Sequence, residues 1–275
     1  MPLAACVQLN GSSDVERNLR VTERLVRQAA AAGATLVATP EATTYLGPHD
    51  RKAQLAEPLD GPTHAGLGAL AAELGITLVI GSVAERCPAP DGAPPSRAYN
   101  TTLVFGPDGA RLASYRKVHL FDVDLRAAGG VTFRESETTG RGTAPVAVDT
   151  PAGRLGLSIC FDLRFPEHFR ALTDQGAEIL LVPAAFTLMT GMDHWHTLLR
   201  ARAIETQSWV MAPAQWGPHD DGGLRRSYGH SLIIDPWGTV VAECGAGEGI
   251  CLAEVDTQKV ADIRQRIPMR ANRQL

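Results

Sequence analysis

The sequence has no run of lysines and arginines, and its 26 basic residues are outnumbered by 30 acidic residues, which gives a formal net charge of −4. Proteins that bind a phosphate backbone carry clustered basic side chains, so this balance argues against a nucleic-acid partner. The sequence also lacks an apolar stretch near the ~20 residues that a membrane helix needs. Its N-terminus, MPLAACVQLN, has no charged segment that leads into a secretory core. We therefore predict a cytoplasmic protein without a membrane partner.

Several motifs for cofactors, metals and nucleophiles are also missing. Neither GxGxxG nor GxxxxGK[ST] occurs, which argues against dinucleotide-binding and P-loop folds, and no GxSxG is present for a serine hydrolase. HExxH is absent too, and His194 and His196, two positions apart, point to different faces of a helix. We therefore predict no cofactor and no metal site.

The five cysteines stand at positions 6, 87, 160, 244 and 251, an odd number without a CxxC spacing. Neither a disulfide framework nor a zinc ribbon fits this pattern. Each cysteine is then either a small buried hydrophobe or a nucleophile. Residue type alone favours the buried role for each of them.

The order of the predicted elements indicates an α/β fold. The first eighty residues alternate apolar strands with helices, one from about Asp14 to Ala32 and one from about Thr63 to Leu74. A hairpin turns at residues 107–109, residues 121–144 form an irregular excursion, and a later helix spans roughly His194 to Thr206. No repeat or composition break marks a linker, so we predict one domain over residues 1–275, with layers of helix, sheet, sheet and helix.

Three residues at strand ends carry the possible chemistry. Cys160 lies where the strand RLGLSIC gives way to a helix-forming segment, a position that exposes a nucleophile and favours its thiolate. Glu41 follows the strand ATLVATP, and Lys117 ends the second strand of the hairpin. Each also has an ordinary structural interpretation, as a buried cysteine, a loop glutamate or a solvated strand-end lysine.

Taken together, six segments resemble the nitrilase superfamily, and its Nit-type branch in particular, over nearly the whole chain. They are PEA at 40–42, YRKVHLFDVD at 115–124, GRLGLSICFDLRFPE at 153–167, GAEILLVPAAF at 176–186, HWHTLLRARAIETQ at 194–207 and SYGHSLIIDPWGTVVAECGAGEGICLAEVD at 227–256. Each motif alone is moderately specific, but six in the right order are strongly so. The resemblance implies a four-layer α-β-β-α sandwich that pairs into a homodimer.

The resemblance also implies a cysteine-dependent amidase. The superfamily's catalytic glutamate, lysine and cysteine fall on Glu41, Lys117 and Cys160, and its second glutamate falls on Glu135. Cys160 would form a thioester with the release of ammonia, and Glu41 would be the general base. Lys117 and the backbone amide of Phe161 would stabilise the oxyanion.

The substrate predicted in this way is a small amide that bears a carboxylate. Arg164 would bind that carboxylate through its planar guanidinium, unless it forms a structural salt bridge with Glu167 or Glu41. The resemblance adds Phe186 as a pocket wall and Thr190 as a hydroxyl partner. RARAIETQ, SYGHS and DPWGTVVA resemble the deaminated glutathione amidases more than the ω-amidases that act on α-ketoglutaramate. A nitrile or N-carbamoyl substrate and a non-enzymatic scaffold are the alternatives.

Two departures from the branch accompany this resemblance. The branch usually reads HWE where this chain has HWH, so that His196 replaces a glutamate and its hydrogen bonds. The sequence ends at MRANRQL, where relatives carry an extension that covers the partner subunit. We therefore expect the geometry or stability of the dimer to differ.

Overall fold

The computed structural model describes residues 1–88, 96–126, 132–222 and 225–274, without the side chains of residues 49 and 50. Its first half alternates strands and helices before a hairpin, as predicted. The elements are β1 (Leu3–Gln8), α1 (Val15–Ala31), β2 (Leu36–Ala38), α2 (His49–Lys52), α3 (Pro62–Leu74), β3 (Thr77–Arg86), β4 (Ala98–Phe105), β5 (Arg111–Arg116), β6 (Asp122–Asp124), β7 (Thr132–Arg134), α4 (Glu135–Thr138) and β8 (Thr139–Gly140).

The second half repeats the alternation and adds a short 3₁₀ helix over Cys160–Arg164. The elements are β9 (Val146–Thr150), β10 (Gly153–Leu157), α5 (Pro166–Asp174), β11 (Ile179–Leu181), α6 (Leu188–Thr206), β12 (Trp209–Ala212), β13 (Trp216–Pro218), β14 (Arg226–Tyr228), β15 (Leu232–Ile234), β16 (Val240–Glu243), β17 (Gly249–Glu254) and α7 (Thr257–Arg266). In the part of the chain that the structure covers, none of the helices is long and apolar enough to cross a bilayer.

Two sheets form the centre of the molecule. The first has the strand order β17-β1-β2-β3-β4-β5, with β8 beside β4, and the second has the order β16-β15-β12-β11-β10-β9. Strands β1, β2 and β3 pair in parallel, as do β10, β11 and β12. Because the parallel strands of each sheet point the same way, the chain leaves them at one edge, where sites of α/β proteins lie.

Alternation along β1 shows how the layers pack. Ala4 and Cys6 face the second sheet, while Ala5 and Val7 face α1 and α3. A strand turns successive side chains to opposite faces, so both faces of this sheet are buried. Helices α5 and α6 cover the far face of the second sheet through residues such as Phe169 and Trp195. The predicted order of helix, sheet, sheet and helix is confirmed.

The helix ends follow local chemistry. The Asp14 side chain accepts the N–H of Arg17 at the start of α1, and Gly75 ends α3 at a left-handed φ of 63°. Both predicted helices are confirmed within two residues at each end.

Helix α6 begins at Leu188, six residues before the predicted start at His194. The predicted start was therefore wrong. An added Cβ at Gly191 would come within 2.4 Å of the Tyr228 Cβ atom. The glycine is therefore needed for close packing against β14, and the helix continues through it.

The excursion over residues 121–144 has more structure than predicted. Strands β6 and β7 pair antiparallel within it, and α4 and β8 follow. Residues 127–131 lie outside the described residues. These short elements place Glu135 at the first position of α4, where it is buried.

Candidate active site

Three strand ends bring the predicted residues together. Glu41 follows β2, Lys117 follows β5 directly, and Cys160 follows β10 after two residues. Cys160 has a φ of 49° and Ala42, next to Glu41, has a φ of 57°. Residues other than glycine rarely adopt this left-handed conformation, and such strain is common at functional sites. The segments at Ala42 and Cys160 therefore both turn sharply where they leave the sheets.

Lys117 lies between two glutamates. Its Nζ atom is 2.9 Å from Glu41 Oε1 and 2.9 Å from Glu135 Oε2. All three side chains are buried, with Lys117 only 1 % exposed. Two of the three N–H groups of the ammonium are used by the carboxylates, so one N–H remains for another acceptor.

The electrostatics of this group follow from burial and proximity. Although burial opposes charge, Glu135 and Glu41 raise the pKa of Lys117 well above its ordinary value. Burial also opposes ionisation of Glu135, but Lys117, Lys52 and the N–H of Phe121 lower its pKa to about 2. Both groups are therefore charged at neutral pH.

The Cys160 thiol behaves differently from the sequence-based prediction. Its segment continues as a 3₁₀ helix rather than an α-helix, and burial together with the charge of Glu41 raises the pKa of the thiol well above its ordinary value. The expectation that a helix end favours the thiolate is wrong. Since Cys160 is 8 % exposed and lies beside a carboxylate, the resting group is a thiol with a base next to it.

Asn100 is a residue that the sequence reasoning missed. Its side-chain amide donates to Glu41 Oε1 at 2.9 Å and to Glu135 Oε1 at 3.2 Å. Asn100 lies on β4, and its backbone carbonyl accepts the N–H of Lys117 at 2.9 Å. The signal available in the sequence was a polar residue in the apolar strand YNTTLVF, two residues into β4.

The backbone after β11 positions the other two groups. The N–H of Ala185 donates to Glu41 Oε2 at 2.9 Å, and the carbonyl of Pro183 accepts the N–H of Cys160 at 2.8 Å. One short segment therefore holds both the carboxylate and the turn that carries the sulfur. The second oxygen of Glu41 retains a free lone pair for a thiol proton.

Asp162 connects the lysine and cysteine segments. Its carboxylate accepts the Tyr115 hydroxyl at 2.7 Å, the Ile159 N–H at 2.8 Å and both N–H groups of His119, at 3.0 Å from the backbone and 2.7 Å from Nδ1. Burial opposes its ionisation, but these donors lower the pKa of Asp162. Tyr115 lies one residue before the end of β5. Its hydrogen bond to Asp162 therefore fixes the distance between the end of β5 and the segment that follows β10.

The remaining predicted residues line the same cavity. It is bordered by Glu41, Lys117, Glu135, Cys160, Phe161, Arg164, Phe186 and Thr190. Phe161 lies in the first turn of the 3₁₀ helix, and no hydrogen bond between described residues uses its N–H. All of the sequence-predicted site residues therefore meet in one place.

Arg164 has none of the salt bridges considered for it. Its guanidinium lies over the Phe186 ring, 5.1 Å from the centroid, and 3.4 Å from His194 Nδ1. The Thr190 hydroxyl lies 2.7 Å from that of Thr187 on the same side of the cavity. In the part of the chain described, no carboxylate pairs with Arg164, so its charge faces the cavity uncompensated.

Lys52 and Arg225 are further cations of the cavity wall that the sequence reasoning missed. Lys52 donates to the Thr139 hydroxyl at 3.2 Å, and burial lowers its pKa. Arg225 is paired with Asp221 and donates to the carbonyl of Gly47. No sequence signal separated these two residues from ordinary loop charges.

Two sets of side chains among the described residues have a spacing that a metal ion requires. His119, Asp162 and His168 form one, but the Asp162 carboxylate already accepts four hydrogen bonds and ties two segments together. His196, His230 and Glu243 form the other, away from the cavity lining. As predicted, His194 and His196 face different ways, towards Arg164 and Glu243 respectively.

A four-layer sandwich with a thiol, a carboxylate and an ammonium group in one cavity is typical of hydrolases that form covalent intermediates. Residues 3–265 match the family model of carbon-nitrogen hydrolases. The deaminated glutathione amidase of Bos taurus is 42 % identical over 272 residues, which cover 98 % of this chain and 81 % of that protein. Omega-amidase NIT2 of Homo sapiens is 39 % identical over 269 residues, 96 % of this chain and 92 % of that protein.

The crystal structure of Saccharomyces cerevisiae Nit3, a member of branch 10 of the nitrilase superfamily, superposes with a TM-score of 0.84. It is 34 % identical to this chain, and the match covers 98 % of this chain and 94 % of that one. The chain therefore belongs to the carbon–nitrogen hydrolase family, and the resemblance to the nitrilase superfamily is confirmed. It is an enzyme that hydrolyses carbon–nitrogen bonds.

Proposed function

We propose that this enzyme hydrolyses the amide bond of a small carboxylate-bearing substrate through a thioester on Cys160, and that deaminated glutathione is its preferred substrate. The observation that carries the proposal is the convergence of Glu41, Lys117, Glu135 and Cys160 on one cavity. Hydrolysis at a carbonyl needs a nucleophile, a base and a stabiliser of negative charge, and this group supplies all three.

In the first step Glu41 removes the thiol proton as the Cys160 sulfur attacks the amide carbonyl. Because the pKa of the thiol is raised, the thiolate forms only as the new C–S bond forms. Asn100 and the N–H of Ala185 hold the carboxylate of Glu41 in place. The carbonyl oxygen becomes an oxyanion in a tetrahedral intermediate.

The third N–H of Lys117 and the N–H of Phe161 then stabilise that oxyanion. A positioned donor of this kind contributes roughly 3 kcal/mol to the transition state. Glu135 keeps Lys117 charged and oriented, because it accepts an N–H of the ammonium at 2.9 Å and is itself held by the N–H of Phe121 at 2.7 Å.

The intermediate collapses when the C–N bond breaks and the proton on Glu41 moves to the departing nitrogen. The acyl group remains on sulfur as a thioester. Glu41 next removes a proton from water, which attacks the thioester, and the C–S bond breaks as the thiol regains its proton. Each cycle consumes one water molecule and returns the enzyme to its first state.

The nature of the leaving group depends on the substrate. A primary amide such as α-ketoglutaramate would release the ammonia that was expected from the sequence for the preferred substrate. Deaminated glutathione contains only secondary amides, so that the leaving group is the amine of its peptide portion. The same proton transfer from Glu41 serves both.

Cations on the cavity wall support a substrate with carboxylates. Neither Arg164 nor Lys52 forms a salt bridge with a carboxylate among the described residues, although Lys52 is near enough to Glu135 to lower the pKa of that carboxyl. We assign Arg164, Phe186 and Thr190 to one end of the substrate, with Lys52 available for a second acidic group. Deaminated glutathione has a carboxylate at each end, whereas α-ketoglutaramate has one. Charge complementarity therefore favours the larger substrate.

This chain is similar both to deaminated glutathione amidases and to an omega-amidase, so the choice of substrate needs an experiment. We expect kcat/KM for deaminated glutathione to exceed that for α-ketoglutaramate at least ~10-fold, measured by the formation of the common product α-ketoglutarate. An equal or reversed preference would refute deaminated glutathione as the preferred substrate but not the proposed amidase activity. Cleavage of a nitrile or an N-carbamoyl compound alone would refute both, and no turnover of any of them would favour a scaffold.

Exposed apolar side chains support the predicted homodimer. Met192 and Ile204 on α6 are 61 % and 47 % exposed, Trp237 before β16 is 62 % exposed, and Val241 in β16 is 42 % exposed. Such a patch on a soluble domain usually marks a protein interface. Sedimentation should give a dimer that Ile204→Glu converts to a monomer, and a monomeric parent protein would refute it. The cytoplasmic location stays a prediction.

A further inference from the structure

A second group of reactive side chains lies outside the cavity. It consists of His196, His230 and Glu243, and one ligand atom from each lies within 4.8 Å of the other two. Glu243 Oε1 is 3.0 Å from His196 Nε2 and 2.5 Å from His230 Nδ1. Two neutral imidazoles and a carboxylate are ligands that zinc and its neighbours in the periodic table prefer.

The three residues come from three different elements whose positions are fixed. His196 lies within α6, Glu243 is the last residue of β16, and His230 precedes β15. His230 has a left-handed φ of 56°, and its carbonyl accepts the indole N–H of the buried Trp195 at 2.9 Å. The backbone at each ligand is therefore held independently of the other ligands.

The side chains are also restrained. The Tyr228 ring stacks on His230, with centroids 4.3 Å apart and an angle of 26°, and it meets the edge of His196 at 6.1 Å. Two metal–ligand bonds of about 2.1 Å span at most about 4.2 Å, so small rotations would bring all three ligand atoms to bonding distance.

Access and charge suit a cation. In the single chain the three side chains are each about one third exposed, with values of 33 %, 37 % and 32 % for His196, His230 and Glu243. Glu243 supplies the one acidic side chain among the three. The nearby Arg200 directs its Nε atom away, to the carbonyl of Gly238 at 2.8 Å.

We propose that His196, His230 and Glu243 form a site for a divalent first-row transition metal ion, with water in the remaining coordination positions. The site does not depend on the proposed amide hydrolysis. It is specific to a chain with histidine at position 196, because glutamate there would leave a single imidazole.

A bound ion would act on stability rather than on the chemical step. It would join α6 to the β15–β16 hairpin, which already contact each other through the His196–Glu243 bond and through the Arg200 bond to the Gly238 carbonyl. Trp195, which the His230 carbonyl holds, packs against Phe186 of the cavity wall with ring centroids 5.1 Å apart. An ion that binds the native state and not the unfolded chain raises the melting temperature by mass action.

Zinc(II) titrated into chelator-treated full-length protein tests the site. Calorimetry should show saturable binding of one ion per chain, and excess zinc should raise the melting temperature by several degrees. His196→Gln and Glu243→Gln should each weaken binding at least ~10-fold and abolish most of the thermal shift. Circular dichroism in metal-free buffer checks that each variant is folded, and the two variants are independent of each other.

Cys160→Ser is the matched control, because the active-site thiol is itself a zinc ligand. The proposal requires that this variant keep the saturable site and its thermal shift. The proposal is overturned if zinc shows no saturable binding, if His196→Gln and Glu243→Gln both leave binding unchanged, or if binding disappears in Cys160→Ser.

Discussion

The two ends of the cavity are built differently. Around the thiol, Lys117 has a carboxylate 2.9 Å away on each side, and those carboxylates are held by Asn100 and by backbone N–H groups. Around Arg164, the nearest partners are an imidazole nitrogen at 3.4 Å and an aromatic ring. The first end is a closed network of compensating charges, and the second is an open charge.

This difference separates chemistry from specificity. Buried charges tolerate each other only as a complete set, so a change at the first end affects stability and turnover together. Under the proposed function, a change at the second end removes a contact to substrate and leaves the network intact. The same reaction can therefore be kept while the substrate changes.

The largest effect is expected from removal of the sulfur. Cys160→Ala should lower kcat at least ~10⁵-fold, since covalent catalysis is lost while binding remains. Because alanine adds no charge, the variant should unfold close to the parental temperature. Steady-state kinetics together with thermal melts check this, and residual turnover within tenfold of the parent would contradict it.

A second large effect is expected at the base. Glu41→Gln should lower kcat about 10³–10⁴-fold, because the amide cannot accept the thiol proton. It should also destabilise the protein by about 3–5 kcal/mol, because Lys117 loses one of its two carboxylates. Chemical denaturation of Glu41→Gln and Cys160→Ala in parallel tests this difference in stability. Equal stability of the two variants would show that the charges of Glu41, Lys117 and Glu135 do not stabilise one another.

At the open end, Arg164→Met should raise KM for a carboxylate substrate about 10–100-fold with little change in kcat. Arg170→Met, an exposed arginine on the neighbouring helix α5, is the matched control and should leave both constants unchanged. A fall in kcat with KM unchanged would place Arg164 in the chemical network instead.

Asn100→Ala should have a smaller effect on turnover, about 10-fold in kcat, since it loosens Glu41 and Glu135 without removing either charge. Kinetics in parallel with the parent enzyme measure it. Full activity of this variant would show that the lysine alone orders the two carboxylates.

The last effect concerns the pH dependence of stability and not turnover. The pKa of Glu135 is about 2 in the folded protein and 4.5 in its ordinary state, so its contribution is present above pH 4.5 and is lost as the pH falls towards 2. The contribution amounts to about 3 kcal/mol. Glu135→Gln should flatten the rise of unfolding free energy over this range, whereas Glu137→Gln, exposed on the same short helix, should not. Parallel slopes for all three proteins would contradict the assignment.

Most of the fold and the closed network could be predicted from the sequence. Strand ends are visible as apolar runs, and Glu41, Lys117 and Cys160 each stand at one, in segments whose order matches the superfamily. The start of α6 was predicted six residues too late. Gly191 lies in this first part of the helix, where it packs closely against Tyr228 from a distant segment.

The rest depends on contacts between distant segments. Asn100 reaches both glutamates only because β4 pairs with the strands on either side, and Lys52 becomes a cavity residue only when its short helix packs beside α4. The state of the thiol was also mispredicted, because it depends on the burial of Cys160 beside Glu41 and not on the local helix. Contacts of this kind join residues that are far apart in the sequence, so no short sequence motif predicts them.

The role of Cys160 as the nucleophile is tested most directly by intact-protein mass spectrometry of a rapidly quenched reaction with deaminated glutathione. The account predicts a transient mass increase equal to the acyl portion of the substrate, located by digestion on the peptide that contains Cys160 and absent from Cys160→Ala. Turnover without any adduct during the first cycle, or an adduct that persists in Cys160→Ala, would contradict it.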